Sequence, residues 1–134
     1  MELIKFLHVI SGVTFLGIII ASFFYISSSI RQNNLALLCY SLKVSFFGDL
    51  AIGFIIIIQL TTGSLLVQYT GLSLAVPWIV VAYIAFGVIS VCWLVNLLLK
   101  SVNYIQLKKS NHPVFSLKYL LYSLHILMIV VFAL

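Results

Sequence analysis

Acidic residues are nearly missing from this chain: Glu2 and Asp49 are the only two in 134 residues. Charged residues of either sign make up 7 %, against roughly 25 % in soluble domains. That scarcity excludes an ordinary water-facing surface. Cysteine occurs twice, at Cys39 and Cys92. The two lie far apart without metal spacing, so they read as small buried apolar residues rather than a disulfide or a metal site. No Walker motif, glycine-rich dinucleotide loop, HExxH or CxxC occurs, which argues against soluble-type nucleotide and zinc chemistry. The net charge of +5 is not a nucleic-acid signature, because the basic residues sit at the ends of apolar segments rather than in a patch.

What is present is hydrocarbon: 64 % of the residues are hydrophobic. A spanning helix needs about 20 mostly apolar residues, so the length admits four spans with short loops in a single domain over residues 1–134, without a linker. Only helices and closed barrels satisfy their backbones in lipid. Continuous apolar runs without period-2 alternation select helices. The expected fold is therefore an all-α integral membrane protein, a bundle of four transmembrane helices in a lipid bilayer.

The spans are expected at about 3–30, 46–67, 77–99 and 114–134. The first apolar stretch is too long for a cleavable signal sequence and reads as span one. Residues 35–45 read either as an interfacial lead-in or as an early start of span two. Pro77 opens span three, where proline is tolerated, and Trp78 follows at interfacial depth. The longest polar loop is expected at 100–113. Arg31, Lys43, Lys100, Lys108, Lys109 and Lys118 flank the two loops on one side, and only Lys5 lies on the other. The positive-inside rule then puts both termini away from the cytoplasm, on the periplasmic side of a bacterial inner membrane.

Ionisable residues inside a membrane are candidates for function by default. The lysines and Arg31 are expected to reach an interface by snorkelling, and His112 to be solvated in its loop. That leaves His8, Asp49 and His125. At ~1.5 Å per residue, His8 lies about 10 Å from the N-terminal face and His125 about 13 Å from the C-terminal one. The topology puts those faces on one side, so the two imidazoles are expected at matched depth. Two axial histidines are what a membrane haem b takes. His8 and His125 are thus candidate haem ligands, with Met128 an alternative. Gly12, one turn after His8, would admit a flat macrocycle, and Phe15, Phe23, Phe24 and Phe86 would wall its pocket. Lys5 would pair a propionate. The competing reading makes both histidines polar glue between helices.

Asp49 is expected to pair with Arg31, Lys43 or a basic residue of the third loop, with proton uptake as the alternative role. Gln59, Thr61, Thr62 and Gly63 place polar groups late in span two, on the histidine side. They either contact a ligand or close interhelical hydrogen bonds. Asn96 and Gln106 are weaker candidates.

The stretch Ile4-Lys5-Phe6-Leu7-His8-Val9-Ile10-Ser11-Gly12-Val13, with Phe15-Leu16-Gly17, resembles the first helix of a family of small bacterial predicted integral membrane proteins of unknown function. That family is similar in turn to copper-resistance protein D and to the membrane haem-containing protoporphyrinogen oxidases. The resemblance continues through Asp49, Leu60-Thr61-Thr62-Gly63, Pro77-Trp78, Trp93 and Gln106. It implies four helices, and it implies haem b at the position of His8. The chain departs from the oxidases where Ile18-Ile19-Ile20-Ala21-Ser22-Phe23 replaces an aromatic, proline-rich continuation. It also lacks an expected lysine inside a later span.

Three functions compete. The first is a redox or electron-transfer protein holding haem b and meeting a quinol or a periplasmic partner. The second handles copper or another metal through His8, His125 and Met128, although methionine occurs only twice. The third is a non-catalytic accessory subunit of a membrane complex. Four short helices bury little surface, which also makes a homodimer an expectation.

Overall fold

The computed structural model describes residues 1–32, 34–110 and 115–133, with side chains for 1–32, 34–109 and 122–131. The expectations for Asn33, His112, Val114 and Leu134, and for the Lys118 side chain, lie outside the described residues. Four helices follow in order: α1 Glu2–Arg31, α2 Leu35–Thr70, α3 Pro77–Ser110 and α4 Phe115–Ala133. No strand occurs among the described residues. The first three helices are long and apolar enough to cross a membrane, and α4 contributes a shorter apolar segment, Tyr122–Val131.

Local chemistry sets the ends. Asn34 caps α2 by accepting from the Leu37 N–H at 3.1 Å, so residues 35–45 are the start of that helix. Gly71 closes α2 in the left-handed region, with φ +67°, which glycine adopts without a Cβ penalty. Proline begins α3, and Lys108 and Lys109 lie in its last turn, where positive charge suits the helix dipole. The loop expected from residue 100 is therefore helical through Ser110.

The helices form a ring in chain order: each packs against the next, and α4 returns to α1. Large apolar side chains such as Leu3, Val13, Phe54, Trp78 and Leu98 face outward, as lipid-facing residues do. Inside, buried polar residues are as numerous as buried apolar ones among the described residues. The two kinds alternate in layers. Starting from the chain's N-terminal end, His8 and Thr62 meet first. An apolar layer of Phe15, Ile19, Ile52, Ile89, Cys92 and Met128 follows. Next comes a polar layer of Ser22, Asp49, Asn96, Lys100 and His125. A second apolar layer of Ile26, Leu38, Leu42 and Leu107 lies beyond it. Cys39 and Cys92 are free thiols.

Candidate functional site

His8 lies two turns into α1 and faces α2. Its Nδ1 is 3.0 Å from Thr62 Oγ1, and its Nε2 is 3.2 Å from Gln59 Nε2. The surrounding bonds assign the tautomer. A hydroxyl has one proton to give, and Thr62 donates its own to the Ile58 carbonyl at 2.7 Å. Thr62 therefore accepts from Nδ1–H. Nε2 is left with a lone pair, which accepts from the Gln59 amide. The Ser11 hydroxyl lies within donating reach of both Gln59 Oε1 and the His8 carbonyl. Residues 59, 62 and 63 sit on one turn of α2, so the helix delivers the amide, the hydroxyl and a glycine to one ring. A Cβ on Gly63 would meet His8 Cε1 at 3.2 Å.

This imidazole closes the inner end of a groove of about 400 Å³ between α2 and α3. Leu60, Leu66, Trp78, Ile79, Tyr83 and Phe86 form its walls. It is the concave, mostly apolar shape with a few polar groups that binds small molecules.

The polar layer is a second cluster, and every helix contributes to it. Lys100 Nζ donates to Asp49 Oδ2 at 2.7 Å and to Ser22 Oγ at 2.8 Å. Both ends of the ion pair are buried, with side-chain exposures of 0 % and 2 %. Asn96 Nδ2 and Ser22 Oγ lie 3.3 and 3.4 Å from His125 Nε2. The ring of Phe23 covers His125, with centroids 6.1 Å apart. Trp93 Nε1–H donates to the Asp49 carbonyl at 2.9 Å, and Gly53 lets the indole approach.

The structure separates the two histidines expected at one depth. His125 meets Ser22, fourteen residues after His8 on α1, or about 21 Å at ~1.5 Å per residue. The depth argument placed the ends of α1 and α4 level, but contacts put Met128 beside Phe15 and Ile19. A haem shared by His8 and His125 does not fit. Met128 is in the apolar layer rather than at His8. Gly12 is buried in the packing face of α1, and the glycine beneath the imidazole is Gly63. Phe86 lines the groove and Phe15 packs against it, whereas Phe23 and Phe24 belong to a cleft at the other end. Lys5 pairs with Glu2 at 3.0 Å. Among the described residues Thr61 bonds its own helix, at Ile57. Among the described residues no three His, Cys, Asp or Glu side chains converge.

Lys100 is the largest correction. It does not snorkel; it is buried beside Asp49. Asp49 thus has a partner from the expected stretch, but that partner lies inside a helix. A signal existed: Asn96, Lys100, Asn103 and Leu107 recur at helical spacing, which puts them on one face.

The model of a family described as predicted integral membrane protein (DUF2269) matches residues 2–134, and the chain belongs to that family. No curated protein and no solved structure matches it.

Proposed function

We propose that this member of the family is a four-span protein of a bacterial inner membrane, with both termini periplasmic and a redox-linked role centred on His8. The observation that carries the reading is the oriented lone pair on His8 Nε2 at the end of an apolar groove. A metal-ligating histidine donates its other N–H to a fixed partner, and Thr62 is that partner for Nδ1. With Nδ1–H held, Nε2 is free to exchange the Gln59 amide for a stronger acid, whether a metal ion or a proton.

Were a haem b bound here, His8 alone would hold it, with Thr62 fixing the imidazole and the apolar groove side chains walling it. It would supply one-electron exchange. Without haem, the same nitrogen would accept a hydrogen bond from a hydroxyl placed in the groove, as a quinol would place it. α4 completes the bundle as the fourth span: its apolar segment continues beyond Tyr122–Val131 in sequence.

The test is a reduced-minus-oxidised absorption spectrum of the purified protein in detergent, with haem quantified as its pyridine haemochrome. A near-stoichiometric b-type signal is expected. It should vanish in His8→Ala, shift in Thr62→Val and survive in His125→Ala. A colourless preparation that takes up no added haem would remove haem from the reading.

A further inference from the structure

Among the described residues the buried ion pair has a polar approach from the basic end of the bundle. On α2, Ser41, Ser45 and Asp49 recur every four residues. That spacing stacks them on one face, about 6 Å apart along the axis. All three are buried, at 2, 4 and 2 % exposure. At the far end of this file Ser41 shares a hydrogen bond with Ser29 of α1. That end of the molecule carries Arg31, Lys43, Lys108 and Lys109.

Packing alone leaves one atom of the file without a partner among the described residues, and a second such atom lies beside the ion pair. Ser45 Oγ and Asn96 Oδ1 are buried and have no hydrogen-bond partner among the described residues. Buried polar atoms are normally satisfied by protein or by ordered water. Ser45 lies one turn from Asp49, and Asn96 lies one turn from Lys100. Ser45 Oγ thus marks the basic side of the ion pair, and Asn96 Oδ1 lies level with the pair or toward His8. On its other side the pair meets Phe15, Ile19, Ile52, Ile89 and Met128, which offer no hydrogen bonds. The separate cleft between α1 and α4 ends on Phe23, whose ring seals His125.

We propose that Asp49 is a proton-exchange site inside the membrane, reached by water along the Ser29–Ser41–Ser45 file from the basic end and closed toward His8. Among the described residues Lys100 of α3 faces it directly, and Ser22 of α1 and His125 of α4 through Lys100 and Ser22. A proton passed along the file bonds to the Asp49 carboxylate and breaks its ion pair with Lys100. Lys100 stays an ammonium and keeps its bond to Ser22, so the cluster gains one positive charge. The proton leaves by the reverse path. This inference does not rest on any cofactor at His8.

Asp49 is the only aspartate in the chain, so carbon-13 at the aspartate carboxyl reports on it alone. The full chain, labelled in this way and held in maltoside detergent, is followed by infrared spectroscopy through an acid pH jump. The carboxyl signal is expected to move from the ionised to the protonated position. Ser45→Val should slow that change on the order of tenfold, about the worth of one hydrogen bond lost from the file. Ser64→Ala, at the opposite end beside Tyr83, should leave the rate alone. A carboxyl signal that never moves while the protein stays folded would overturn the proposal. So would an equal rate in Ser45→Val and the parent chain.

Discussion

A lysine near the end of an apolar run has two ways to keep its charge. It can extend to the interface, or it can fold inward onto a carboxylate. Lys100 takes the second, because Asp49 on the adjacent α2 and Ser22 on α1 across the bundle wait at 2.7 and 2.8 Å. Removing one member of a buried pair strands the other charge and costs about 3–5 kcal/mol, whereas removing both is far milder. Lys100→Met should therefore lower the unfolding temperature in detergent sharply, and Asp49→Asn with Lys100→Met should recover much of the loss. A Lys100→Met protein as stable as the parent would mean that the ammonium reaches water. Gly63→Ala makes a finer test, since its Cβ would sit 3.2 Å from His8 Cε1. The ring must shift by a few tenths of an ångström, so the His8 carbon-bound proton resonances should move while those of His125 stay. At this scale the His8 surroundings were partly legible: Gln59, Thr62 and Gly63 stood out as polar or small residues on the histidine side. Lys100 was not, because a rule about reach says nothing of a partner across the bundle.

Helix existence was legible in the apolar runs, and helix length was not. The stretch 35–45 mixes polar and apolar residues, and so does 100–110. In both, some polar members face the interior while Lys43, Gln106, Lys108 and Lys109 stay exposed. Ser41, Ser45, Lys100 and Asn103 are buried, an inversion that hydropathy counts as loop. Capping then decides the boundaries. Asn34→Ala should cost about 1 kcal/mol, the usual worth of an N-cap side chain. Gly71→Ala should cost a similar ~1 kcal/mol, because φ +67° crowds a Cβ. Thermal unfolding of each variant in detergent checks both values. An unchanged Gly71→Ala would show that this turn relaxes without strain.

For the whole molecule, the first question is the number of crossings. Reporter domains fused at the two termini should face the same compartment, the periplasm, if α4 spans. Opposite compartments would leave three crossings. The helical architecture followed from composition together with apolar runs that lack period-2 alternation. The ring order and layering did not, because they depend on how far each helix slides along its neighbours. That sliding is why His8 and His125 occupy separate layers.

The apolar layer between them has an electrical consequence. Were the Ser29–Ser41–Ser45 file to hold water as proposed, the potential across an energised membrane would fall more through Phe15, Ile19, Ile52, Ile89 and Met128 than through the second apolar layer. Moving one elementary charge through the full potential is worth about 2.3 kcal/mol per 100 mV. The two polar layers then sit near opposite plates of a thin capacitor. A charge arriving beside Asp49 from the basic end crosses little of that field, and one carried onward to His8 would cross most of it.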